Sequence, residues 1–178
     1  KFERFCKQPQ YIGEVYADGD EGEDALSNLR FRADRQGLLS IWAMPETFEG
    51  YEVVNRYLTV VDVGGRSNKA DWSVIVVFDR LSMIDGSEPP SVVAQWYGHC
   101  DIDQLAWRAA QIAAFYDNSL LVIESNTLET HDKERQVEGG DQSQYILNQI
   151  SDIYPNLYAR KQSEDEIREG APRKYGFH

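Results

Sequence analysis

Four apolar runs punctuate the chain from residue 57 onward, and their spacing predicts four strands: Tyr57 to Val63, Trp72 to Phe78, Ser91 to Tyr97 and Leu120 to Ile123. The first two are joined by the Gly64 to Asp71 loop. The second and third are separated by turn residues, Asp85-Gly86 and Pro89-Pro90, so the first three strands read as an antiparallel meander. A different period follows. Leu105, Ala109, Ile112, Ala113 and Tyr116 recur at helical spacing behind Asp101, which stands three residues before Gln104 as in a capping box. Asp117-Asn118 ends this helix, and a helical crossover of that length lets the Leu120 strand run parallel to one already laid down. Gln142 to Ile150 predicts a second helix, and Asn156 to Arg160 a fifth strand.

The order β-β-β-α-β-α-β is the ribonuclease H-like plan, so the expected fold is α/β with a mixed five-stranded sheet and flanking helices. Residues 1 to 50 lack sustained periodicity and are expected to form an extended N-terminal arm ahead of a domain over 51 to 178. Within the arm, Leu29 to Ala33 and Gly37 to Trp42 read as a short hairpin turned by Asp34 to Gly37, with Pro45 closing the unit.

Two of the strands end on a lone acid. Asp62 closes Tyr57-Leu-Thr-Val-Val and precedes Val-Gly-Gly65; Glu124 closes Leu120-Leu-Val-Ile and precedes Ser-Asn126. Desolvating a carboxylate costs several kcal/mol unless it is paired or coordinated. In the expected fold the two strands are parallel neighbours, so both acids would sit at one sheet edge, one strand spacing (about 4.8 Å) apart. Leu58, Val60 and Asp62 share a face, as do Leu120, Val122 and Glu124. Two carboxylates that close favour a cation between them, and an all-oxygen set suits Mg2+ or Mn2+. Asp71, at the far end of the glycine loop, either holds a metal-bound water or bonds its own turn. His99 and His131 have no partner at ligand spacing, and Trp72, Trp96 and Trp107 read as core; Trp42 is left open.

Composition narrows the setting. The 178 residues are 42% hydrophobic, enough for one domain with a core, and no run approaches the roughly 18 apolar residues of a membrane span. Cys6 and Cys100 follow no metal spacing, which suits a reducing cytoplasm. The net charge of −12 argues against a general nucleic-acid binder, yet much of it lies in Asp18 to Asp24 and Glu164 to Glu169, which read as solvated faces. Arg30, Arg32, Arg35, Arg56, Arg66 and Lys69 gather in and before the first acid-tipped strand and its loop. The chain begins at Lys1 without a methionine and ends at Lys174-Tyr-Gly-Phe-His178, and is expected to be a piece of a longer protein.

Tyr57-Leu-Thr-Val-Val-Asp-Val-Gly-Gly-Arg-Ser-Asn-Lys-Ala-Asp-Trp-Ser-Val-Ile75, with Leu121-Val-Ile-Glu-Ser-Asn126, resembles the nuclease domain of tailed-bacteriophage (or prophage) terminase large subunits over about residues 37 to 158. The resemblance implies a metal-dependent endonuclease that cuts concatemeric double-stranded DNA during packaging, in the cytoplasm of a bacterial host. It implies two metal ions, with Asp62 and Glu124 as the first two acids of a triad. It also implies an N-terminal ATPase in the parent chain, with the portal and the small terminase subunit as partners. No Gly-x-x-x-x-Gly-Lys-Ser/Thr motif occurs here, so the ATPase is outside this chain. The third acid is expected beyond His178, since Asp141 and Asp152 lie too early, and the segment alone is expected to cut DNA little or not at all. Asp62-Val-Gly-Gly65 also resembles the phosphate loop of actin-like ATPases and sugar kinases, but Glu124-Ser-Asn126 does not supply that family's second Asp-x-Gly loop. A non-catalytic docking module of the packaging motor is the third reading.

Overall fold

A seven-stranded mixed sheet carries the molecule, with strands in the order β2-β1-β3-β6-β5-β4-β7. In chain order these are β1 (Tyr11–Tyr16), β2 (Arg30–Ala33), β3 (Leu39–Ile41), β4 (Tyr57–Asp62), β5 (Ser73–Asp79), β6 (Ser91–Gly98) and β7 (Leu120–Ile123). The computed structural model describes residues 7–46, 53–64, 72–84, 86–124 and 142–177, with the backbone alone for 142–145. The helices are α1 (Leu81–Ile84), α2 (Ile102–Phe115), α3 (Gln142–Ile153) and α4 (Glu164–Arg168). Among the described residues no helix is long and apolar enough to cross a membrane.

From β4 to β7 the expected plan is present: β4, β5 and β6 form an antiparallel meander, α2 crosses over, and β7 returns parallel to β4. This is the ribonuclease H-like arrangement, though with seven strands in place of five. Three strands are gained from the expected arm, and the expected fifth strand is not formed. Residues 11–41 are not an arm; they add β1, β2 and β3 to the same sheet through β3–β6 pairing. Nor do β2 and β3 pair as a hairpin, because β1 lies between them and bonds both. Glycine makes this insertion possible. A Cβ on Gly13 would fall 2.1 Å from the Arg32 carbonyl oxygen, and one on Gly37 would fall 2.5 Å from Gly13 Cα.

The helical layer covers one face. Tyr57, Val61, Ile75, Val77, Leu121 and Ile123 point under α2 and α3, whose Leu105, Ala109, Ile112, Ala113, Leu147 and Ile150 are buried. The α2 face extends further than its apolar spacing predicts, because Gln111 donates to the Gly19 carbonyl (3.2 Å) and Arg108 pairs with Glu14 (2.7 Å). Both contacts tie the β1–β3 unit to the crossover helix, over a buried Ala25 from the acidic segment. Asp101 is the N-cap of α2, but its side chain makes no cap hydrogen bond, so the expected capping box is not formed. A capping box does form on α4, between Ser163 and Glu166. Cys100 is a free, half-buried thiol, and Cys6 lies outside the described residues.

The fifth strand is not a strand. Leu157 and Ala159 make single bridges, to Leu121 and to Tyr175. Tyr158 N–H donates to Leu121 O (2.8 Å) and Leu121 N–H to Asn156 O (3.0 Å), which is enough to line this segment along the start of β7. Further along β7, Phe177 bridges to Glu124 and donates its N–H to Ile123 O at 2.7 Å.

Two buried polar clusters hold β4. At its start, Arg56 clasps Asp79 through Nε and Nη2 (2.7–3.2 Å) and reaches Glu46 at 3.0 Å. In its middle, Thr59 Oγ1 meets Ser119 Oγ at 2.6 Å, while the Tyr154 hydroxyl donates to the Ser119 carbonyl. All three of Thr59, Ser119 and Tyr154 are at most 2% exposed.

Buried hydrogen bonds of this kind leave an unsatisfied group when one partner is removed, so Tyr154→Phe should cost about 1–3 kcal/mol in urea denaturation. Burial pushes the Asp79 carboxyl up, but the hydrogen bonds from Arg56 and the Leu81 N–H, with the Arg56 charge, outweigh it and the net shift is downward. A depressed folded pKa contributes stability that is present above the unfolded value and lost as pH falls through the folded one. Asp79→Asn should therefore cost about 3 kcal/mol at pH 7. The gap to wild type should begin to narrow below about pH 4 and keep closing as pH falls through the depressed folded value.

Candidate metal centre

The parallel β4–β7 register pairs Leu58 with Leu120, Thr59 with Leu121, Val60 with Val122 and Val61 with Ile123. The ladder continues one bond further, with Glu124 N–H donating to Val61 O at 3.0 Å. The next step of that register sets Asp62 beside Glu124, one strand spacing (about 4.8 Å) apart. Both acids follow the odd-even pattern of their strands onto the face opposite α2: Asp62 is exposed and Glu124 half-buried. The backbone beyond Asp62 is fixed by the buried Ser73 hydroxyl, which accepts the Gly64 N–H at 3.0 Å. The beginning of β5 thereby holds the end of β4.

Of the other residues singled out, fewer converge. Asp71, Asp141 and His131 lie outside the described residues. Asp152 is exposed in the last turn of α3, on the helical side of the sheet. Among the described residues no group of three or more His, Cys, Asp or Glu gathers as a metal cage. The basic residues do not assemble here either. Arg56 is committed to Asp79 and Glu46, and Arg66 and Lys69 are outside the described residues. Arg30 and Arg32 lie on β2, five strand spacings (about 24 Å) from β4.

One residue of this edge differs from the sequence expectation. Trp96 and Trp107 are core, as expected, but Trp72 is not: it is 45% exposed. Its indole stacks on Tyr97 (centroids 4.2 Å, planes 13° apart) and lies 4.2 Å from the His99 ring. The strand parity gives the reason. Ser73, Ile75 and Val77 are the buried set of β5, so Trp72 belongs with Val74, Val76 and Phe78 on the face without helices. Trp42, left open by the sequence, is half-buried and donates its indole N–H to the Lys7 carbonyl at 2.7 Å.

Chemically, this edge offers adjacent carboxylates backed by rigid backbone and open to solvent on one side. That oxygen donor set fits a hard divalent cation. No protein-family model and no curated protein sequence matches the chain. Solved structures similar to it include the large terminase nuclease from thermophilic phage G20c with bound magnesium, and the same protein with bound zinc. Each is 13% identical with a TM-score of 0.45, and each match covers 77% of this chain. The matches span 57% of the magnesium-bound chain and 63% of the zinc-bound one, less than two thirds of either.

Like charges about 5 Å apart repel by about 1 kcal/mol in water. Without divalent metal, Asp62→Asn should therefore leave stability unchanged or raise it by up to about 1 kcal/mol, measured by urea denaturation in EDTA. A loss above 1 kcal/mol would instead mark Asp62 as a structural acid.

Proposed function

We propose that Asp62 and Glu124 are ligands of a divalent-metal centre, and that the chain is the nuclease part of a DNA-packaging terminase that hydrolyses phosphodiesters in double-stranded DNA. The observation that carries this reading is the parallel register that brings two strand-terminal acids side by side on an open sheet edge. Mg2+ or Mn2+, two ions in the complete site, would be held there by Asp62 and Glu124 and would supply water activation and leaving-oxygen stabilisation. The protein's own part is positional. Asp62 would be one metal ligand, on a strand end anchored by the Gly64–Ser73 hydrogen bond. Glu124 is held by its backbone bonds to β4 and, through Ile123, to Phe177. Asp71 is proposed as the holder of a metal-bound water.

Support for the substrate and setting comes from the sequence resemblance around Asp62 and Glu124 and from the placement of both at strand ends. By that resemblance the segment works beside an ATPase domain, with the portal and small terminase subunit as partners, in the host cytoplasm.

Two measurements test the proposal. Mn2+ titrated into the chain should give saturable paramagnetic relaxation of water, and Asp62→Asn or Glu124→Gln should abolish the saturable part. In the full-length protein, Mn2+-dependent plasmid nicking should fall more than about 100-fold in Asp62→Asn, since even partners behind a metal ligand are worth 10–100-fold. Wild-type nicking by Asp62→Asn would refute the assignment.

A further inference from the structure

The Trp72–Tyr97–His99 cluster lies on the same sheet edge and the same face as the two acids. Asp62 pairs with Val74, and Val74 pairs with Tyr97, so Tyr97, Val74, Asp62 and Glu124 form one row across β6, β5, β4 and β7. Trp72 stands two residues before Val74, one step further out on the same face. Two strand spacings, about 10 Å, separate the Tyr97 position from Asp62. That span is about three base steps of ~3.4 Å along a nucleic-acid strand.

Trp72 and Tyr97 remain 45% and 44% exposed even though they stack on each other. Large planar side chains standing in water beside a candidate metal site are the informative kind of exposure. Trp72 is ordered by two ring neighbours, Tyr97 and His99, so a base packing on the surface that stays exposed would immobilise no loose side chain.

We propose that Trp72, with Tyr97 and His99 beside it, is a stacking shelf for one unpaired nucleobase of the strand whose phosphate lies at Asp62 and Glu124. The inference rests on the nuclease reading and deepens it. A base within a duplex is covered by its neighbours, so the shelf selects DNA that is frayed, mismatched or single-stranded next to the cut. Trp72 acts here as a positioning residue.

The test is anisotropy of labelled oligothymidylate and of an abasic strand of equal length, in EDTA so that nothing is cut. Wild type should bind oligothymidylate more tightly than the abasic strand. Trp72→Ala should weaken oligothymidylate binding about 10- to 100-fold, the range for losing one stacked base, and leave the abasic strand unchanged. Trp72→Phe, which keeps a stacking face, should stay within about threefold of wild type. Equal losses on both strands, or no loss on either, would overturn the shelf. If the shelf fails while metal-dependent nicking still depends on Asp62, the nuclease reading stands alone. A protein that binds neither strand and nicks no plasmid removes the nuclease reading, and the shelf with it.

Discussion

The register between β4 and β7 is the constraint on which the rest of the molecule depends. Parallel strands cannot be set by a tight turn, so something distant in sequence must fix which residue stands opposite which. Here it is the contact of Thr59 with Ser119, reinforced by Tyr154 from the end of α3. A buried hydroxyl pair tolerates no slip, because a one-residue shift would turn every β7 side chain to the other face and strand two hydroxyls in an apolar layer. The cluster joins the middle of β4 to the start of β7, and the acids sit at the carboxyl ends of the two strands. A structural device in the core thus determines the geometry of an exposed site that it does not touch.

The sheet is asymmetric in a way that follows from the same arrangement. Helices α2 and α3 cover the face carrying Val61, Ile75 and Ile123, while the face carrying Asp62, Glu124, Trp72 and Tyr97 is more open. Chemistry at a strand end needs both conditions: a dry layer beneath to hold the backbone, and solvent access above for substrate. The β1–β3 extension lies at the far side of the sheet. Its ties to α2 through Arg108–Glu14 and Gln111–Gly19 stabilise the layer rather than the site.

The meander, the crossover helix and β7 were legible in the sequence to within a residue or so, because each is a sustained apolar pattern bounded by turn residues. The acids were legible because they interrupt those patterns at equivalent points. What was hidden has physical causes. Tyr11–Tyr16 looks like part of a loop because Gly13 interrupts it, and the need for that glycine arises only when the Arg32 carbonyl approaches. Asn156 to Arg160 has strand-like composition, yet only Leu157 and Ala159 bridge, to different partners. Trp72 resembled core because tryptophan usually is; only the knowledge that Ser73 is the buried neighbour turns it outward. Which face of a sheet receives the helices is a tertiary fact that alternation alone does not encode.

Anomalous diffraction from crystals soaked in Mn2+ tests the central claim most directly. The account predicts a peak between the Asp62 and Glu124 carboxylates, about 2.0–2.2 Å from an oxygen of each, lost in Asp62→Asn. A clean map at millimolar Mn2+, or a peak that leaves one of the two acids out, would contradict it.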